Sequence, residues 1–67
     1  NYKTLTAREL EVLTLASTGL CNKEIACQLQ IAERTVEFHL THTYQKLRVA
    51  SRLAAVRWLD SQQAGKE

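Results

Sequence analysis

The sequence predicts an all-α fold, a bundle of four short helices that spans residues 1–67 as a single domain. The chain has no proline and only two glycines, Gly19 and Gly65, so few positions interrupt a helical pattern. No window alternates apolar and polar residues between turn pairs, which is the pattern of a strand. Instead, four segments carry apolar residues at the three-to-four-residue spacing of a helix buried on one side.

The first helix is predicted over about residues 7–18. It begins after Thr6, because Thr6 and Glu9 have the spacing of a capping box, in which each side chain bonds the backbone N–H of the other. Gly19 is the expected left-handed residue that ends it. The apolar stripe of this helix consists of Leu10, Val12, Leu13 and Ala16.

The second and third helices are predicted over 22–29 and 33–47, separated by a three-residue break. Either Cys21 or Asn22 is the N-cap of the second helix, and asparagine is chemically the better one. A short helix, a tight turn and a longer helix with an apolar inner side together form the pattern of a helix-turn-helix. The apolar residues expected to pack together across this pair are Ile25, Leu29, Val36, Leu40 and Leu47. Ala26 and Thr43 are expected on the inner sides of the same two helices.

The fourth helix is predicted over about 51–62, with Ser51 as its N-cap. Its apolar residues occupy more of the circumference than one core contact requires. An apolar strip left exposed on a small protein usually marks an interface.

The net charge is only +2, but the charge is unevenly distributed. Within residues 34–57, Glu37 is the single anion among five cations. A basic segment on a nearly neutral domain is typical of a face that meets phosphate, although a solvated helix face has the same composition. The five cations are Arg34, Lys46, Arg48, Arg52 and Arg57.

The cysteines and histidines predict neither a metal site nor catalysis. Their spacing, C-x5-C-x11-H-x2-H, is too wide between Cys21 and Cys27 and too narrow between His39 and His42 for a zinc finger. No nucleophile, base and orienting group have a catalytic spacing, so no enzyme and no cofactor are predicted. Two unpaired thiols fit a reducing, cytoplasmic setting, and no apolar stretch approaches the roughly 20 residues that span a membrane.

Four stretches of the chain carry a resemblance to a known family. They are LTxRExEVLxLA at 5–16 followed by Gly19, NKEIAxxL at 22–29, TVEFHL at 35–40 and KLxVxxR at 46–52, where x marks a position that does not enter the resemblance. Together they resemble, without a gap over residues 5–56, the LuxR/FixJ-type (NarL-like) helix-turn-helix domain of bacterial transcriptional regulators. The resemblance implies sequence-specific binding of double-stranded DNA by the C-terminal effector domain of a longer regulator. It also implies control by an upstream receiver or ligand-sensing domain, and it makes RNA polymerase a further candidate partner.

Three residues depart from the family pattern. Cys21 stands where the family usually has serine or threonine, and Ala32 stands where serine often caps the third helix. Alanine at a cap typically costs about 1 kcal/mol. Arg48 replaces the usual glycine after the third helix, so the turn there lacks glycine's tolerance of positive φ.

The resemblance implies that the 33–47 helix enters the major groove, with base contacts at Glu37, Phe38 and Thr41 and with Arg34 available at the helix start. A carboxylate at Glu37 can accept from the N4 amino group of cytosine, or it can simply stabilise the helix. Phe38 can contact a thymine methyl group, or it can pack in the core. The expected phosphate contacts are Lys23, Thr35, His42, Gln45, Lys46 and Arg48.

Three further expectations concern the rest of the domain. His39 is expected to be a partly buried structural histidine, and Glu9 is expected to pair with Arg52 between the first and fourth helices. In the resembling family the fourth helix dimerises, which implies a homodimer on an inverted-repeat site. Its expected interface is Leu53, Val56 and Trp58. The alternative function is a helical module that binds another protein and not DNA.

Overall fold

Four helices follow one another in the computed structural model, which describes residues 5–64 and the side chains of residues 5–62. They are α1 (Ala7–Ser17), α2 (Asn22–Leu29), α3 (Glu33–Leu47) and α4 (Arg52–Ala64). No strand occurs between residues 5 and 64. The predicted all-α, four-helix fold is confirmed, and the ends of the predicted 1–67 domain, residues 1–4 and 65–67, lie outside the described residues. No described helix is long and apolar enough to cross a membrane.

The start of α1 has the predicted capping box. The backbone N–H of Glu9 donates to Thr6 Oγ1 at 3.1 Å, and the backbone N–H of Thr6 donates to Glu9 Oε1 at 2.9 Å. The helix ends at Ser17, one residue earlier than predicted, because Thr18 is already its C-cap. Gly19 follows with φ +95°, so the glycine takes the conformation expected of it.

The N-cap of α2 is Cys21, and the preference for Asn22 was wrong. Asn22 lies inside the first turn, where its Oδ1 accepts a hydrogen bond from Arg52 Nη2 at 3.0 Å. The cap is completed by Glu24, whose Oε1 accepts the backbone N–H of Cys21 at 3.0 Å. This backbone hydrogen bond, together with a contact from the Cys21 side chain, lowers the pKa of the Glu24 carboxyl.

Two helices end on a left-handed residue that is not glycine. Arg48 and Gln30 both have φ 58°, a region that favours glycine. In each case the next residue closes the turn, since the N–H of Val49 donates to Tyr44 O and the N–H of Ile31 donates to Ala26 O, both at 3.0 Å. The departure from the family pattern anticipated the unusual position at Arg48, but nothing anticipated the one at Gln30.

The core consists of two clusters that share α1. The larger joins α1 to α2 and α3 and contains Val12, Ala16, Ile25, Ala26, Val36 and Leu40. The smaller joins α1 to α4 and contains Leu13, Ala55 and Leu59. Most of the predicted packing between α2 and α3 is present in the larger cluster. Leu47 is the exception, because it packs against the smaller cluster and so supports α4 and not α2. Thr43 is fully buried and satisfies its hydroxyl by donating to His39 O at 2.8 Å.

The ion pair between distant segments differs from the expected one. Glu9 pairs with Lys46, whose Nζ donates to Glu9 Oε1 at 2.7 Å. Arg52, at the first turn of α4, donates through Nη2 to Leu20 O at 3.4 Å and to Asn22 instead. The predicted Glu9–Arg52 tie is therefore wrong, because α4 begins beside the start of α2 while the end of α3 lies over α1.

The Glu9 carboxylate is stabilised in its charged form despite its burial. Burial alone would raise the pKa of this carboxyl. The hydrogen bonds from Lys46 Nζ and from the Thr6 backbone, with the charge of the ammonium group, outweigh burial and lower the pKa below its usual value. Glu9 and Lys46 therefore form a charged tie between α1 and α3.

Candidate nucleic-acid interface

The two sides of α3 differ sharply in burial. Val36, Leu40 and Thr43 are buried against the rest of the domain. The residues on the opposite side are all exposed: Arg34, Glu37, Phe38, Thr41 and Gln45. The helix therefore presents one continuous side to solvent over more than two turns, and every predicted base-contact residue lies on it.

Phe38 is not a core residue. Its side chain is 58% exposed, and it is one of two large hydrophobic residues that are exposed within the described part of the chain. Its ring lies 4.2 Å, centroid to centroid, from the ring of His42 and 6.1 Å from that of His39. The core-packing interpretation of Phe38 was therefore wrong.

Glu37 is exposed and lies beyond the first turn of α3, where Glu33 is the acidic residue. The stabilising effect of the helix dipole on a carboxylate falls off after the first turn. This position weakens the interpretation that Glu37 only stabilises the helix. The carboxylate lies on the outer side of α3, where a binding partner could reach it.

The residues predicted to contact phosphate differ in how far their side chains are exposed and free to bind an anion. Lys23 is exposed near the N-terminus of α2, and Arg48 is exposed just after α3. Thr35 and His42 are half-buried, and Gln45 is exposed. Lys46 is the exception within the set, because its ammonium group already neutralises Glu9.

A family model agrees with this architecture. The model described as bacterial regulatory proteins, luxR family, matches residues 3–59. The chain belongs to the luxR family of bacterial regulatory proteins. The match spans all of α1, α2 and α3 and most of α4, so the four helices are a luxR-family helix-turn-helix DNA-binding domain. This confirms the resemblance found in the sequence.

Relatives of this luxR-family domain are found among response regulators. The nitrate/nitrite response regulator protein homolog of Haemophilus influenzae is 53% identical over 51 residues, which are 76% of this chain and 24% of that protein. The nitrate/nitrite response regulator NarP of Escherichia coli is 48% identical over 54 residues, covering 81% and 25%. The chain spans 6% to 26% of the length of the curated relatives that it matches.

The fold is also that of a solved response regulator. The crystal structure of ChrA, from a heme-sensing two-component system, matches with a TM-score of 0.82 and 44% identity. The match covers 88% of this chain and 29% of that one. The luxR-family domain therefore has the same arrangement of helices as one portion of a longer response regulator.

The expected interface residues on α4 are unequally exposed. Leu53 is 62% exposed, and Val56 is half-buried. Trp58 is also half-buried, because one side of it packs against the cluster of Leu13 and its neighbours. Of the three, Leu53 offers the most apolar surface to a partner.

The cysteines and histidines do not converge. Cys21 and Cys27 are free and exposed. No group of three or more His, Cys, Asp or Glu side chains is placed to hold a metal ion among the residues that the structure describes. His39 is half-buried on the flank of α3, and its carbonyl accepts the hydroxyl of Thr43.

Two long-range contacts that involve the helix-turn-helix were not found from the sequence. One is the Glu9–Lys46 pair, whose members lie 37 residues apart, and the other joins Arg52 to Asn22, 30 residues apart. Lys46 and Asn22 were assigned to other roles, so neither pairing was considered. No local pattern in a single sequence signals contacts of this separation.

Proposed function

We propose that this chain binds double-stranded DNA sequence-specifically, with α3 in the major groove, as the output domain of a bacterial transcriptional regulator. The observation that carries the proposal is the outer side of α3, where five neighbouring side chains are exposed while the inner side is sealed in the core. An α-helix fits the major groove, and its outward side chains can then reach base edges.

Base recognition in this proposal depends on four side chains of α3. Glu37 accepts a hydrogen bond from the N4 amino group of a cytosine, and Phe38 makes an apolar contact. Arg34, at the second position of α3, can donate two hydrogen bonds to a guanine, and Thr41 can bond any base. The carboxylate also repels phosphate, so a helix with Glu37 binds well only where a donor faces it.

Phosphate contacts fix the register of the domain on the duplex and carry no sequence information. Lys23 is suited to this role because it lies where the free N–H groups of α2 already favour an anion. Thr35, Gln45 and Arg48 complete the proposed set. Lys46 contributes less to it, since its charge is shared with Glu9.

We further propose that two copies associate through α4, with Leu53 and Val56 at the contact and the exposed part of Trp58 at its edge. Exposed apolar surface such as that of Leu53 loses contact with water when a second copy covers it. A two-fold axis between the copies would place the two α3 helices on an inverted repeat.

The longer relatives support the rest of the proposal. The chain covers about a quarter of the named nitrate/nitrite response regulators, so we expect it to act within a longer cytoplasmic protein. A receiver or ligand-sensing domain would then control it, and RNA polymerase is the expected downstream partner.

The test is selection of bound sequences from random duplex DNA, followed by titration of the selected site at several salt concentrations. We expect the logarithm of affinity to fall linearly with the logarithm of salt, by about 0.9 for each neutralised phosphate. Lys23→Gln should reduce this slope by about one per bound protomer. The matched control is Arg8→Gln, which removes an exposed cation from α1 and should leave the slope unchanged.

The competing function is a helical module that binds another protein. Such a module would enrich no DNA sequence in the selection, and its binding to a protein partner through apolar surface would depend only weakly on salt. A selection that enriches no DNA sequence would reject the DNA-binding proposal for this chain.

A further inference from the structure

Phe38 is the only apolar residue among the five exposed side chains of the outer side of α3. More than half of its surface is exposed, so the ring contributes little to burial in the core. Its neighbours on this side are charged or polar, and all of them can bond to water. The ring is thus the one group there that gains from contact with another apolar group.

The ring of Phe38 is held in place by a second ring. His42 follows it by one helical turn, and the two centroids lie 4.2 Å apart with the planes tilted by 44°. His39 approaches from the side, at 6.1 Å and edge-on. Aromatic rings in tilted or edge-on contact attract each other beyond the effect of area. His42 is half-buried, so the domain packs around part of its ring while the rest contacts Phe38.

We infer that Phe38, braced by His42, recognises a C5-methyl group on a pyrimidine in the major groove; this inference rests on the DNA-binding function proposed above. Thymine is the one ordinary base with a methyl group there, and an apolar side chain is the matching contact. His42 is in this view a positioning residue for Phe38, and it replaces the phosphate contact predicted from the sequence.

An apolar contact has a consequence that hydrogen bonding would not have. It responds to the methyl group and not to the donor or acceptor at position 4 of the ring. The site that Phe38 occupies should therefore accept 5-methylcytosine in place of thymine with little loss, but should discriminate against uracil and unmethylated cytosine.

The experiment uses the DNA site selected for the chain and replaces each thymine, one at a time, with deoxyuridine. At one position in each half-site we expect uracil to weaken binding about fourfold, the effect of burying one methyl-sized group. Cytosine at that position should weaken binding, and 5-methylcytosine should restore most of the loss. In Phe38→Ala the uracil penalty should disappear, while a melting curve shows that the fold is retained.

Two variants test the role of His42. His42→Phe keeps a ring beside Phe38 but cannot bond a phosphate, so it should keep the uracil penalty. His42→Ala removes the ring and should reduce the penalty without changing the salt slope. If His42→Ala lowers the salt slope and leaves the penalty intact, His42 is a phosphate contact and the positioning role is wrong.

The outcomes separate this inference from the function on which it rests. Tight, salt-dependent binding of a selected site with no uracil penalty at any thymine overturns methyl recognition and leaves DNA binding standing. A uracil penalty that persists unchanged in Phe38→Ala also overturns methyl recognition by Phe38. If the selection enriches no sequence, the inference and the proposed function are both overturned.

Discussion

The ion pair between Glu9 and Lys46 gives the sharpest test of how α3 is held on the domain. Lys46→Met keeps the aliphatic stem of the side chain but removes its ammonium group. The Glu9 side chain is only 6% exposed, so it would lose its charged partner while remaining out of reach of most water. Its remaining hydrogen-bond partner would be Thr6, chiefly through the backbone N–H.

The magnitude follows from the burial of the two partners. Breaking a fully buried ion pair costs about 3–5 kcal/mol. Lys46 is 34% exposed, so water screens part of the interaction, and we expect a loss of about 2 kcal/mol, within the range for a hydrogen bond to a charged group. For a domain of this size that loss lowers Tm by roughly 10 °C.

The pH dependence of the same variant has a defined sign. The pKa of Glu9 in the folded chain lies below its usual value of 4.5, so the pair stabilises the fold fully above that value. The contribution disappears as the pH falls through the folded-state pKa. The difference in Tm between the chain and Lys46→Met should therefore be largest near neutral pH and should close in acid.

Thermal melting followed by circular dichroism, from about pH 7 down to about pH 3, measures both effects. Lys23→Met is the matched control: it removes an exposed lysine of α2 and should change stability by less than about 0.5 kcal/mol. A Lys46→Met variant whose Tm at neutral pH equals that of the unsubstituted chain would refute the reasoning. So would a difference that is as large in acid as at neutral pH.

Four further predictions concern single side chains. Arg48→Gly should stabilise the fold by about 0.5–1 kcal/mol in urea denaturation, because Arg48 has φ 58°, and a loss of stability would contradict this. Ser51→Ala should destabilise it by about 1 kcal/mol, since Ser51 Oγ accepts the Ala54 N–H at 3.2 Å, and an unchanged urea midpoint would contradict this. Leu53→Ala should weaken self-association in sedimentation equilibrium while leaving the monomer's Tm within a few degrees, because the side chain is 62% exposed; unchanged association would remove α4 as the interface. Glu37→Gln should relax the preference for cytosine at one base pair per half-site in selected sequences, and a fully retained preference would exclude it as the cytosine reader.

The local features of the fold were predictable because they depend on neighbours in sequence. The bounds of α2 and α3 agree with prediction, and so does the capping box of Thr6 and Glu9. A cap joins residues three positions apart, and the apolar spacing of a helix repeats within four. The left-handed turn at Arg48 was anticipated in a different way, because the family resemblance places a glycine at that position.

Choices of partner were not predictable, even where both residues were noticed. Glu9 was expected to pair with Arg52, but Lys46 binds Glu9, and Arg52 donates to Asn22 instead. Which cation reaches Glu9 depends on how the helices cross. Several cations near helix ends are equally plausible partners when only their distance along the sequence is known.

The sequence by itself determined that this chain forms four helices, where each begins and ends to within a residue or two, and to which family it is similar. Only the tertiary structure decided that Phe38 points outward beside His42 and that Lys46 is tied to Glu9. The physical reason is that helix formation depends on hydrogen bonds and spacing within a few residues. The exposure of a ring and the partner of a charge instead depend on how distant helices pack.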